Sequence, residues 1–387
     1  MATWGPSLQA ALAGLVVASF VASAARAAAV CGGTFSFSDD LAAGTAGHVR
    51  ALTYAESGAT KILVAGGEDM TLRVWDVDPV VTTPREYGRH QETIWALEWI
   101  SDLDVVASAC GDGLIRLWPI SVLSTTQTCD GLGENCCDGD GLGCSGEHVL
   151  HWHSFGNSML KRRQCHSLEW ISNGDGTGTL VSGWGDGSVR TWAYDGSTWS
   201  YTTNLQSVGW DIADRTYDMV WLSGASKLAT ASPDWSQPRL WSDLTTADSY
   251  TYLQKQTGEH GCPGTNMHCD AVLGLDGNSD GSKVVTCSKD TRVIIWQASD
   301  GSKVATLSAH TDHVESVVWL HSEDLIASGG ADTNILIWDA TASADGTTAA
   351  QTLAGHSGSV QALVWIEGLK LLASADDSGE VKTWDCA

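Results

Sequence analysis

The segment GADTNILIWD, Gly330–Asp339, decides how this chain is read. Glycine and aspartate open a turn, a short apolar run follows, and a tryptophan closes it, which is the signature of a strand entered through a tight turn. The pattern returns as GEDMTLRVWD at Gly67–Asp76, CGDGLIRLW at Cys110–Trp118, GWGDGSVRTW at Gly183–Trp192, SPDWSQPRLW at Ser232–Trp241, SKDTRVIIW at Ser288–Trp296 and DDSGEVKTWD at Asp376–Asp385. Seven copies of one unit imply a repeat architecture.

A second pattern precedes most copies: ALEWI, SLEWI, MVWL, VVWL and LVWI, ending around Trp99, Trp170, Trp221, Trp319 and Trp365. Between the two lie runs such as DVVASA, KLATAS, DLIASG and KLLASA. Short strands separated by Gly/Asp/Ser turns make one small antiparallel sheet per repeat. One such sheet cannot bury both of its faces. Stacking seven of them radially lets the tryptophans bury apolar area between sheets. The bulk composition agrees: 387 residues with 42 Gly, 19 Trp and only 17% charged residues read as a turn-rich β protein with an aromatic core.

The charge excludes one class of partner. Net charge is −25, and without residues 1–29 the chain keeps 20 basic side chains against 46 acidic ones. Such a surface repels phosphate backbones, so no nucleic acid is expected. Residues 1–29 contain LQAALAGLVVASFVASAARAAA, an apolar stretch followed by Ala27–Ala29 in the small-residue pattern of a signal-peptide cleavage site. The expectation is export, to the exterior or an organelle lumen. The stretch before the apolar run lacks Lys and Arg, which leaves an uncleaved anchor or a plastid-type targeting segment as the alternatives. No other run approaches the roughly 20 apolar residues that span a bilayer, so no membrane insertion of the mature chain is expected.

Several markers coincide within each repeat: GH or a variant before the first strand, Ser or Thr in the second, Asp in the following turn and Trp in the third. Together they resemble the WD40-repeat β-propeller family over about residues 31–387. The resemblance implies an all-β, seven-bladed propeller of four-stranded antiparallel blades spanning residues 30–387. It also implies a hydrogen-bonded tetrad of these four side chains within a blade. Full sets stand at His90, Ser108, Asp112 and Trp118, and at His310, Ser328, Asp332 and Trp338. The last repeat keeps His356, Ser374 and Trp384 but has Ser378 where Asp is expected, the first has Ala65 in place of Ser, and the fourth and fifth lack a clear His. In the family a repeat is offset from a blade, so the last blade needs a strand from the N-terminal end. CGGTFSFS at Cys31–Ser38 is the expected closing strand, with Phe35 and Phe37 on one buried face.

That pairing brings Cys31 near Cys386. An exported setting permits disulfides, and the 11 cysteines sort accordingly. Cys31–Cys386 is the first expected pair and Cys262–Cys269 the second, while Cys129, Cys136, Cys137 and Cys144 pair among themselves in an insertion at 121–147. Cys110, Cys165 and Cys287 fall on strand positions and are expected as buried thiols. Metal is not expected. Asp138 and Asp140 match only part of a Ca²⁺ loop, DGNSDG at Asp276–Gly281 reads as a plain turn, and His151 with His153 lacks a C-x-x-C companion.

No nucleophile motif, phosphate-cradling loop or catalytic carboxylate pair is apparent. Neither catalysis nor a cofactor is expected. The expected function is a non-catalytic scaffold that binds other proteins or peptides as a monomeric propeller within a complex. The alternative is a secreted ligand- or metal-binding propeller that uses the cysteine-rich insertion or His151 and His153. The candidate docking surface is one face of the ring. Arg50, Trp95, His166, Tyr217, Asp270, Glu315 and Gln361 follow the first core position of successive repeats and are expected to ring the channel mouth. Long loops around Phe155–Gln164, Val208–Arg215 and Thr257–His268 are expected to form its rim. Lys161, Arg162 and Arg163, the one basic cluster, read as a solvated loop, a contact for an acidic partner, or a dibasic processing site.

Overall fold

Middle strands of this protein are apolar on both faces. Thr60–Gly67 is buried at six consecutive residues and Leu371–Asp376 at all six. A strand of that kind must be covered from both sides, and the architecture supplies the cover. The computed structural model describes residues 35–41, 47–125, 148–151, 164–206, 215–232, 238–246, 249–253, 267–341 and 344–386. Within them lie seven four-stranded sheets, antiparallel wherever the pairing register is defined. The innermost strands of blades one to seven are Val49–Ser57, Ile94–Ile100, Cys165–Ser172, Asp218–Leu222, Val272–Gly277, Val314–Leu320 and Val360–Ile366. Each packs against the innermost strands of both neighbours, and the ring closes between the first and the seventh.

The core is therefore seven layers, each shared by two adjacent blades. Trp75 is buried between blades seven and one, Trp118 between one and two, Trp192 between two and three, and Trp241 between three and four. Trp296, Trp338 and Trp384 continue the series around the ring. Each repeat tryptophan thus faces the preceding blade. Burying one contributes a few kcal/mol by area.

Closure uses the N-terminal strand, at a shifted position. It runs Phe35–Leu41 against Val381–Cys386, with Phe35 opposite Cys386 and Phe37 opposite Trp384. Residues 31–34 lie outside the described residues. The expectation that Phe35 and Phe37 share a buried face is corrected: Phe35 is buried, Phe37 is 53% exposed, and the register shifts between Phe37 and Asp39. Leu41 takes the second buried place. Phe37 instead lies edge-on to Trp384 at 5.7 Å.

Hydrogen-bonded tetrads are more numerous than the sequence markers indicate. Blade six is regular: His310 contacts Asp332 (2.9 Å) and Ser328 (2.7 Å), and Trp338 donates to Ser328 (2.8 Å). Blade five has the same set in His268, Thr286, Asp290 and Trp296, which corrects the expectation that it lacks a histidine. In blade seven the carboxylate comes from Asp376, 3.0 Å from His356, and Ser378 only donates to it (2.7 Å). Asp376 occupies the position of Gly330 in blade six, where an added Cβ would point at His310 Nδ1. The carboxylate has moved two residues along the chain while keeping its place beside the histidine.

Blade two departs from the pattern. His90 Nε2 meets Ser108 (2.9 Å), but its Nδ1 faces Arg116 (2.7 Å), which in turn holds Asp112 (2.9 Å). A nitrogen facing a guanidinium must accept, so the imidazole is neutral with its proton on Nε2. Burial, with Arg116 adding to it, pulls the His90 pKa down to about 3. Blade three replaces the histidine donor with Trp184, which gives its indole N–H to Ser182 (2.9 Å) beside that of Trp192 (3.1 Å).

Blade one shows what a missing hydroxyl costs. Trp75 is fully buried, and its indole nitrogen has no partner among the described residues because Ala65 stands where the other six blades have Ser or Thr. Restoring the acceptor with Ala65→Ser is expected to stabilise the protein by about 1 kcal/mol in urea denaturation. A neutral or negative change would show that the layer around Trp75 cannot admit the oxygen.

Candidate docking site at the channel mouth

Side chains reach the mouth of the central channel through a repeated backbone irregularity. Near its start each inner strand except that of blade four carries a register shift, between Val49 and Ala51, Ile94 and Ala96, Cys165 and Ser167, Val272 and Gly274, Val314 and Ser316, and Val360 and Ala362. The extra residue of a bulge is unpaired and its side chain is re-aimed. Those residues are Arg50, Trp95, His166, Leu273, Glu315 and Gln361, and all line one cavity of about 600 Å3. Tyr217 enters it from blade four, with its N–H bonded to Ala231 O at 3.0 Å.

Six of the seven expected ring residues are therefore together, and Asp270 is not. It is exposed, short of the inner strand. The reason is the unrecognised His268. In blades two, six and seven the tetrad histidine stands four residues before the first core residue: His90 before Ile94, His310 before Val314, His356 before Val360. The same step from His268 reaches Val272, which makes Leu273 the bulged residue. The long loops expected to form the rim fall almost wholly outside the described residues, as do Lys161, Arg162, Arg163, Cys31, Cys262 and the insertion cysteines; the side chain of His151 and all of His153 do too.

Three rings stand in contact. His166 stacks on Tyr217 with centroids 5.0 Å apart and planes 10° apart, and Trp95 meets His166 edge-on at 4.9 Å. Arg50 lies 5.7 Å from the Trp95 ring and is held by Gln361 (2.5 Å) and Glu68 (2.7 Å). Both His166 ring nitrogens lack a hydrogen-bond partner among the described residues, although the residue is only 4% exposed. Burial first, then Arg215, pulls its pKa down to about 4, so the ring is neutral at physiological pH.

Deeper in the channel stand four carboxylates, three of them unmarked in the sequence and the fourth, Asp276, expected in a plain turn but found on the inner strand Val272–Gly277. Glu98 accepts from Trp170 N–H (3.2 Å), Glu169 from Trp221 N–H (2.8 Å), Asp218 from Leu275 N–H (2.8 Å) and Asp276 from Trp319 N–H (2.7 Å). Each stitches one blade to the next. Desolvation dominates their chemistry: it pushes the Glu98 carboxyl up to about 8 and that of Asp218 to about 7, and it raises Glu169 and Asp276 too. The LEW triplets of repeats two and three carried the available signal, a carboxylate inside an otherwise apolar strand.

Comparison with known proteins follows the geometry. The family model described as "WD domain, G-beta repeat" matches residues 35–76, 82–119, 262–297, 301–339 and 347–385. Blades three and four lie outside these matches. The crystal structure of the WD40 β-propeller domain of Doa1 superposes with a TM-score of 0.65 at 18% identity, covering 91% of this chain and 97% of that one. At that identity the likeness is one of fold.

A raised carboxyl pKa has a stability consequence. Between the ordinary carboxylate range and about pH 8 the folded protein keeps a proton on Glu98 that the unfolded chain has lost. Stability from this group is full at low pH, declines across that window, and levels off above it. Glu98→Gln keeps the acceptor for Trp170 and removes the titration. Its urea midpoint is expected to fall less than that of the wild type between pH 5 and 8; parallel curves would refute the assignment.

Proposed function

The chain belongs to the WD40 repeat family, and from that premise we propose that it is a non-catalytic docking platform whose partner, a protein or peptide, engages the channel mouth. WD40 propellers generally bind other proteins. The observation that carries the choice of face is the cluster of Trp95, His166 and Tyr217, three rings from three adjacent blades in mutual contact on one rim, the first two aimed there by strand irregularities. Aromatic anchors that are held in place before binding dominate interface energies. Trp95 and Tyr217 are half-buried, leaving ring surface for a partner. The acidic surface favours a basic partner over nucleic acid.

The reading also includes export and a monomeric propeller closed by a disulfide. Cys110, Cys165 and Cys287 are free and buried. Cys269 and Cys386 are engaged rather than free, with partners outside the described residues. Phe35 stands opposite Cys386, and Cys31 lies four residues before Phe35 in the sequence. A Cys31–Cys386 bond would link almost the whole mature chain, which chain-entropy arithmetic values on the order of 4–5 kcal/mol.

Two measurements test these statements. Replacing Trp95 and Tyr217 with Ala is expected to weaken capture of the partner, cross-linked from the exported fraction, by at least roughly 2 kcal/mol with little change in melting temperature. Lost stability with unchanged capture would make the rings structural. Alkylation of the denatured, unreduced protein is expected to label Cys110, Cys165 and Cys287 alone, with residues 1–29 absent from the mature mass. Full labelling of all 11 cysteines in a cytosolic, uncleaved chain would overturn both export and the disulfides.

A further inference from the structure

We infer that the channel beneath the aromatic trio receives the guanidinium of an arginine carried by the docking partner, an inference that rests on the mouth being the docking face. The first observation is the set of carboxylates. Asp218 and Asp276 have both oxygens occupied by backbone N–H groups, from Met219 and Leu275 and from Gly277 and Trp319. Glu98 and Glu169 differ. Each uses only Oε1, toward Trp170 and Trp221, and leaves Oε2 without a donor among the described residues. They sit on adjacent blades, near enough that Glu98 raises the Glu169 pKa.

The second observation is independent. His166 is more than nine-tenths buried, lines the cavity, and has two ring nitrogens with no hydrogen-bond partner among the described residues. Buried polar atoms are normally satisfied, and exceptions of this kind mark a place for a ligand or water. A neutral imidazole offers one acceptor there. The resident cations do not meet this demand: Arg50 is engaged by Gln361 and Glu68, Lys289 interacts with Glu315, and Arg215, near enough to lower the His166 pKa, makes no hydrogen bond to His166, Glu98 or Glu169.

The chemistry selects arginine. A cation entering the cavity passes the rings of Trp95 and Tyr217, which line it, and aromatic rings attract cations. A planar guanidinium stacks on such rings and presents several N–H donors in a rigid fork, matching the oxygens of two carboxylates and the acceptor nitrogen of an imidazole; an ammonium is a strongly hydrated point charge. A cavity of about 600 Å3 admits the side chain. The overall charge of −25 draws a basic segment toward the ring before contact.

The test titrates the full chain with acetyl-Gly-Arg-Gly-amide and with its citrulline and lysine counterparts, read by calorimetry and tryptophan fluorescence. The arginine peptide is expected to saturate, the other two to bind at least about tenfold more weakly, and Glu98→Gln and Glu169→Gln each to weaken arginine binding by about tenfold at unchanged melting temperature. Citrulline or lysine binding as tightly as arginine, or glutamine variants that bind normally, would overturn the inference. If capture of the natural partner still depends on Trp95 and Tyr217 while the arginine peptide fails, the docking face stands and the arginine does not. If neither holds, both fall.

Discussion

A four-stranded sheet whose middle strands are apolar on both faces cannot exist alone in water, and this constraint organises the whole protein. Each blade here has a tryptophan on its third strand that reaches into the layer shared with the preceding blade. No blade's core is complete without its neighbour, so the arrangement is stable only as a closed ring. Closure falls to Phe35–Leu41, which sets Phe35 into the layer between blades six and seven. The ring leaves one set of edges unprotected. Innermost strands have no sheet partner on the channel side, and their N–H groups need acceptors. Between blades two and six the acceptors are Glu98, Glu169, Asp218 and Asp276, each reaching across to the next blade.

Most of this was legible because it repeats. Seven tryptophan-ending segments are enough to count blades, and the histidine, serine, aspartate and tryptophan markers locate their strands. The reading failed where chemistry was kept and position was not. His268 ends the segment Thr257–His268, which reads as a long rim loop, so it escaped recognition as a tetrad histidine. A spacing argument finds it: His90 to Ser108, His310 to Ser328 and His356 to Ser374 are each 18 residues apart, as His268 is from Thr286. That single omission also displaced the mouth residue of blade five from Leu273 to Asp270. In blade seven, Asp376 does the work assigned to Ser378's position because a side chain from the preceding strand can reach the same point beside His356. Hydrogen-bond networks fix where a carboxylate must be, not which residue supplies it.

The candidate site was legible for a different reason. Arg50, Trp95, His166, Tyr217, Glu315 and Gln361 hold equivalent places relative to their strands, and a ring converts equivalent places into neighbours. The carboxylates below were invisible because a Glu inside LEW looks like the polar residue of an alternating strand. Only the geometry shows that its solvent side is a channel. Blades three and four, which the family model leaves unmatched, contribute His166, Tyr217, Glu169 and Asp218. Blade three gives its tetrad histidine's role to Trp184. Departure from the repeat and concentration of unusual side chains coincide on the same arc of the ring.

That coincidence ties stability to recognition through the carboxylates. Glu98 and Glu169 each give one oxygen to the fold and keep the other facing the channel. With no cation present, desolvation raises both carboxyls, that of Glu98 to about 8. A bound cation restores the charged form and strengthens the same backbone bonds that join blade two to three and three to four, since charge-assisted hydrogen bonds are the stronger kind. Occupancy of the channel would then tighten the arc of the ring that the regular tetrads reinforce least. Any ligand that binds only the folded state stabilises it by mass action. Here the stabilisation has a location, the inner seam between blades two and four, and a mechanism in which the acceptors of the fold and of the ligand are the two oxygens of one carboxylate.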